Sequence, residues 1–422
     1  MRRRSFIKSL AGLAAVSYPM LARAGSAGQP HVVVVGGGFG GATAAKYLHL
    51  FGAGRIRVTL VEPKAEFVSA PMSNLVLEGR LSMADISRSY GGLANYGVNH
   101  VRDEAVGIEA GQRKLLLKRG QPLSWDRLIL APGIDFMWDH IPGLKTESAR
   151  NLMPHAWKAG PQTLLLRQQL EAMPDGGRYI LAIPEAPYRC PPAPYERACL
   201  VAAYFQRHKP RAKVHIFDAN AGITSEAEQF RQAWDDRYPG MIEYNPAFKA
   251  VDVDAASRSV IFELGEQEQG DVVNVLPPMR AGNIAKDAGL TTANDRWCEV
   301  DFLTFSSIVD ERIHVLGDAV QIAPVMPKSG HMANQHGKTC AAAVAALLLG
   351  QDVNPVPIYS STCYSFVGSE DAMHVASVHR YSPEERTMLP VTGAGGVSES
   401  ATAREGRMAM DWAHAIWADM LI

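Results

Sequence analysis

Two groups of residues have the types and spacing to do chemistry. The first is Gly36-Gly37-Gly38-Phe39-Gly40-Gly41, between the β-branched run His31 to Val35 and the Ala-rich stretch that starts at Ala42. Strand, glycine turn and helix in that order build a dinucleotide cradle. Gly36 permits the tight turn, Gly38 lets a pyrophosphate approach the backbone, and Gly41 lets helix and strand pack closely. The helix N-terminus offers unpaired N–H groups and positive partial charge to the phosphates. A second strand, read from Arg55 to Val61, ends in Glu62, a carboxylate suited to ribose hydroxyls. The second group is the cysteines, five in all: Cys190, Cys199, Cys298, Cys340 and Cys363. They are too few and too scattered for a disulfide scaffold, and none belongs to a CxxC or CxxCH motif. The odd count leaves at least one free thiol.

Three further segments select FAD as the dinucleotide. A strand pattern from Glu311 to Leu316 runs into Gly317-Asp318-Ala319, which places a carboxylate for the ribityl chain. Lys328-Ser329-Gly330 opens a long helix, Met332 to Leu348, whose positive end would face the flavin pyrimidine edge. Trp125 to Gly133 reads as a strand, with Ala131-Pro132-Gly133 as the turn between two nucleotide domains. The second domain repeats the topology, with strand Arg178 to Ile183, helix Pro194 to His208 and strand Lys213 to Phe217. Its turn, Pro184 to Pro194, has five prolines and no glycine. Prolines lack the N–H groups that would hold a pyrophosphate, so a nicotinamide coenzyme is disfavoured.

These elements call for an α/β chain of two Rossmann-like dinucleotide-binding domains of the disulfide-reductase type, plus a C-terminal α+β interface domain. The expected division is 25–145 and 277–348 for the FAD domain, 146–276 for the second domain and 349–422 for the third. Residues 1–24 read as a twin-arginine export signal, from Arg3-Arg4-Ser5-Phe6-Ile7-Lys8 to Ala22-Arg23-Ala24. The apolar stretch from Leu10 to about Val16 is shorter than the roughly 20 residues of a transmembrane anchor. The expected location is a periplasm. A net charge of -1 gives no reason to expect nucleic acid or an anionic membrane as partner. No metal ligands stand out. Near the C-terminus Trp412, Ala415, Ile416, Met420 and Leu421 recur at helical spacing, widened by Trp417. That face suits core packing, docking of a partner subunit, or a membrane surface. The scarcity of Lys and Arg on its polar side argues against the last.

The stretch Arg189-Cys190-Pro191-Pro192-Ala193-Pro194-Tyr195-Glu196-Arg197-Ala198 resembles the active-site segment of the flavoprotein subunit of flavocytochrome c sulfide dehydrogenase. So do Ala131 to Phe136, Gly317-Asp318-Ala319, Lys328-Ser329-Gly330 and Thr362-Cys363-Tyr364-Ser365, and the resemblance runs from about residue 30 to the end. It implies a redox disulfide between Cys190 and Cys363 over the flavin. A small sulfur substrate such as sulfide would open that bond, leaving a persulfide and a thiolate. Glu196 becomes the candidate proton carrier, and a c-type cytochrome subunit the electron acceptor. Without the resemblance, buried cysteines are ordinary small hydrophobes, which is how Cys199, Cys298 and Cys340 read. Ser69-Ala70-Pro71-Met72-Ser73-Asn74 departs from the family's Thr-Cys-Tyr-Leu-Ser-Asn. It keeps Asn74 but has Ala70 in place of the flavin-linking cysteine, so the FAD is expected to be noncovalent. Two alternatives stay open: a sulfide:quinone oxidoreductase-like enzyme, and a non-catalytic flavoprotein partner of a sulfur-oxidising system.

Overall fold

The computed structural model describes residues 28–422, so the export signal read at 1–24 lies outside the described residues. β1 (His31–Val35) is buried along its whole length, as a β-branched strand covered on both faces should be. It leads through the glycine turn into α1 (Phe39–Gly52). Then come β2 (Arg57–Val61), β3 (Asn99–Val101) and β4 (Arg127–Leu130). β1 pairs in parallel with both neighbours: Val33 lies opposite Thr59 on one side and Leu128 on the other.

The chain then leaves this sheet to build the second domain. β5 (Arg178–Ile183), α2 (Ala193–His208), β6 (Lys213–Asp218), α3 (Ala227–Arg237), β7 (Ile242–Pro246) and β8 (Val272–Val275) follow in order. Their strands form a parallel sheet, β7-β6-β5-β8. The chain returns with β9 (Ile313–Val315), which completes the first sheet as β9-β4-β1-β2-β3. In both sheets the first strand sits between its successor and a later strand. The order reverses there, and ligands of such sheets bind beyond the strand ends at that point.

α4 (Gly330–Leu349) is capped by Ser329, whose hydroxyl accepts from the Met332 N–H. It crosses α1 closely: a Cβ on Gly337 would lie 2.5 Å from the Gly40 carbonyl oxygen. An antiparallel sheet follows, made of β10 (Ile358–Phe366), β11 (Ala372–Ser382) and β12 (Thr387–Val397), and then α5 (Ala403–Leu421). The core divides at β1. Val33 and Val35 join the cluster shared with the second domain, while Val32 and Val34 join the one that holds α4, β10 and α5.

Three expectations shift. The strand read from Arg55 starts at Arg57, because the Arg55 N–H closes the turn after α1 on the Gly52 carbonyl. The strand read over Glu311 to Leu316 is only Ile313–Val315. The C-terminal face also differs: Gly406, Ala409, Ala413, Ile416, Trp417, Met420 and Leu421 are buried, whereas Ala415 is exposed and Trp412 only partly covered. α5 spends its apolar face on packing beside α1 and β11, one of the three roles left open for it. Lys46 on α1 ties it down, its ammonium donating to the carbonyls of Ala418, Asp419 and Ile422. Among the described residues no helix is long and apolar enough to cross a membrane, and no group of three or more His, Cys, Asp or Glu could hold a metal ion.

Candidate active site

A cavity of about 320 Å³ opens where the two nucleotide-type domains meet β10 and α5. Its phosphate end is the turn after β1. Gly36 has φ +96°, and a Cβ there would meet the Ala131 carbonyl oxygen at 2.3 Å. A Cβ on Gly41 would lie 1.9 Å from the Gly36 carbonyl oxygen, so Gly41 stands behind the cavity wall and holds the turn tight. Gly38 has no atom within 4 Å of its own Cβ position and faces open space. No side chain caps α1, which leaves its first N–H groups for an anion. Glu62 follows β2 on the same wall, accepting from the Gly37 N–H at 2.8 Å and the Lys64 N–H at 3.0 Å.

Gly317 and Asp318, after β9, also line the cavity, with Phe39, Ala131, Pro132, Gly133, Ser329 and Gly330 on the same walls. Asp318 Oδ1 is buried without a hydrogen-bond partner, and burial raises this carboxyl above its usual range, opposed by Arg189 and Lys328. A ribityl hydroxyl is the kind of donor that such an orphaned oxygen needs. Open glycine turn, uncapped helix and unpaired carboxyl together fit FAD. Ala70 is on the wall as well, and its methyl group offers no sulfur for a covalent link.

Lys328 departs from expectation. It is 3% exposed and not on the cavity wall. Its ammonium donates to the carbonyls of Asp318 (2.9 Å) and Val320 (2.6 Å) and lies 3.6 Å from the centre of the Trp297 ring. A desolvated ammonium needs several such partners, and burial still pushes it down to about 7. Lys328 therefore shapes the Asp318 loop from behind. Its carbonyl also receives the Cys190 N–H at 2.8 Å.

Cys190 and Cys363 both line the cavity, as free thiols, although they are 173 residues apart. Cys190 has left-handed backbone (φ +58°) just before α2, and Cys363 belongs to β10. Burial raises both thiols, Cys363 to about 11, and each cysteine's surroundings add negative charge. Glu196, in the first turn of α2, accepts from Asn74 Nδ2 at 2.6 Å and the Phe366 N–H at 3.0 Å. Burial outweighs these donors and pushes it up to about 7, where a carboxyl can both take and give a proton. Arg197 holds Asn74 in place from Nε at 3.0 Å, and its other nitrogens reach Asn274 and the carbonyls of His155 and Ala156.

The sequence reading passed over several groups here. Arg189 was part of the quoted stretch, and its position beside Cys190 was the available signal; its guanidinium donates to the Trp157 carbonyl and lines the cavity. Trp157 and Lys158 come from the connection between domains, and His331 from the first turn of α4. Cys199, Cys298 and Cys340 are fully buried away from the cavity.

Comparison with known proteins gives matches in three parts of the chain. Residues 30–159 match the family model of pyridine nucleotide-disulphide oxidoreductases. Residues 163–277 match the central region of the sulfide dehydrogenase (flavocytochrome c) flavoprotein chain, and 355–421 the flavin-binding region of flavocytochrome c sulphide dehydrogenase. A sulfide dehydrogenase flavoprotein chain from Chlorobaculum thiosulfatiphilum is 61% identical over 49 residues, which is 12% of this chain and all of that sequence. The mitochondrial sulfide:quinone oxidoreductase of Dictyostelium discoideum is 24% identical over 68% of this chain, a match that spans 64% of its own length. The solved sulfide:quinone oxidoreductase from Aquifex aeolicus shares the fold, with a TM-score of 0.74 at 17% identity, over 93% of this chain and 91% of that one.

Proposed function

From the premise that the chain belongs to the family of flavocytochrome c sulfide dehydrogenase flavoprotein chains, we propose that it oxidises sulfide or a related small sulfur compound with FAD as cofactor. One observation carries the reading: two cysteines and a carboxyl that titrates near neutrality share a cavity with an open dinucleotide cradle. In the oxidised protein Cys190 and Cys363 form a disulfide. Hydrosulfide attacks one of its sulfurs and the S–S bond breaks. One cysteine becomes a persulfide and the other leaves as a thiolate, so the incoming negative charge is conserved. Glu196 exchanges protons with substrate and persulfide, and Asn74 and the Phe366 N–H fix its two oxygens. FAD, when bound, would supply a two-electron sink. Glu62, Asp318 and the α1 N-terminus would hold it without a covalent bond, since Ala70 has replaced the linking cysteine.

A c-type cytochrome is the proposed acceptor and a periplasm the proposed location, supported by the family and by the twin-arginine residues. The acceptor is open to test: the sulfide-reduced protein should reduce a c-type cytochrome faster than a short-chain quinone, and the reverse order would favour the quinone reading. Replacing Cys190 or Cys363 by serine should abolish flavin reduction by sulfide while dithionite still reduces the bound flavin. Sulfide reduction that persists in both variants would refute the relay. Acid precipitation should send all the yellow colour into the filtrate; colour retained on the polypeptide would overturn noncovalent attachment.

A further inference from the structure

Glu226 is a further buried carboxyl, outside the machinery described above. It stands at the start of α3, is 6% exposed, and has left-handed backbone (φ +54°). Its Oε2 accepts from the Ser365 hydroxyl at 3.2 Å and the Ser225 hydroxyl at 3.4 Å, while the buried Oε1 has no partner. Neither a cation nor a main-chain N–H of the described residues pairs with the carboxyl. Leaving a carboxylate so enclosed is costly, and keeping the proton avoids that cost.

Ser365 and Phe366 are consecutive on β10. The Ser365 hydroxyl donates to Glu226, and the Phe366 N–H donates to Glu196. One strand therefore anchors both buried carboxyls two and three residues beyond Cys363. Side chains alternate along a strand, so Cys363 and Ser365 share a face. After burial, Glu226 is the largest influence on the Cys363 thiol, whereas Cys363 and then Glu196 are the largest on the Cys190 thiol. Each cysteine thus has a carboxyl of its own. The other charged groups near Glu226 are Glu196 from α2 and Glu405 from α5, the latter engaged with His374 at 2.8 Å. Around Cys363 stand Asp318 and the hydroxyls of Ser329 and Ser361. Burial, aided by Glu196, pushes the Glu226 carboxyl up to about 8.

We propose that Glu226 is a positioning residue for the Cys363 sulfur: tied through Ser365 to the face of β10 that carries Cys363, its carboxyl sets how readily that sulfur holds negative charge when the Cys190–Cys363 bond opens. This rests on the redox-pair reading above. Once Glu226 ionises, carboxylate and thiolate repel and the thiolate becomes harder to form.

The test is the pH dependence of iodoacetamide alkylation at each cysteine of the reduced protein, resolved by peptide mapping. In wild type Glu226 ionises before Cys363. Glu226→Gln should therefore lower the Cys363 midpoint, by about one unit, and move that of Cys190 less. An unmoved Cys363 midpoint, or a larger shift at Cys190, overturns the proposal. Should Glu226→Gln fail to fold, Ser365→Ala removes the donor that steadies the carboxylate. The bend that Glu226 ionisation puts in the Cys363 profile should then move to higher pH, and an unchanged profile is equally fatal. Alkylation does not depend on turnover, so failure of the redox pair appears separately, as sulfide reduction that survives in the two serine variants.

Discussion

The two nucleotide-type domains share the order of their first four strands, yet only the first carries an open glycine turn. Each has a carboxylate at the end of its second strand, and the two have opposite fates. Glu62 accepts two backbone N–H groups at the cavity wall. Asp218 is fully buried, its Oδ2 receiving the Tyr195 hydroxyl at 2.6 Å and the Tyr244 hydroxyl at 3.0 Å, its Oδ1 the Asn220 N–H at 2.9 Å. Tyr195 comes from the first turn of α2, so an aromatic ring fills what the first domain leaves free. That turn also offers little to an anion: Pro192 and Pro194 have no N–H, and the Ala193 N–H is spent on the Cys190 carbonyl. The fold supplies a place for a dinucleotide, and the residues of one turn decide whether it is a site.

The contrast can be broken from either side. Gly41→Ala should have the largest effect, because its Cβ would lie 1.9 Å from the Gly36 carbonyl oxygen. The purified variant should contain almost no flavin by its visible absorbance, or fail to fold. A full complement of flavin would show that the turn tolerates opening. In the second domain Tyr195→Phe should leave flavin content unchanged and cost about 1–3 kcal/mol in denaturant unfolding, the penalty of depriving a buried carboxylate of a donor. Neither NADH nor NADPH should bleach the flavin of this variant or of wild type. Rapid bleaching by either would mean that the second domain still takes a nucleotide.

The same contrast explains what the sequence made legible. Both turns declare themselves locally, through glycines that permit close approach and prolines that remove donors, and the strands beside them fall within two residues of their expected bounds, while α1 begins at Phe39, three residues ahead of the Ala-rich stretch. Side-chain direction was not local. Lys328 read as a flavin ligand because it precedes a helix N-terminus, but Trp297, 31 residues earlier, and two carbonyls captured its ammonium. Glu226 carried no motif, and only the meeting of α3 with β10 makes it a neighbour of Cys363. Helical spacing revealed that α5 has an apolar face without saying what covers it, and it included Ala415, which the structure leaves in solvent.

The clasp between Lys46 and α5 sets an order of events. Lys46 is synthesised 372 residues before Ala418, so α1 exists long before the carbonyls that receive its ammonium. Closing so long a loop costs only modestly more entropy than closing a shorter one, since the cost grows with the logarithm of length. It cannot begin, however, until translation has passed Trp412, which also lines the cavity. A growing chain therefore carries its glycine cradle with one wall missing, and the cavity gains its full enclosure only after Trp412 has been made.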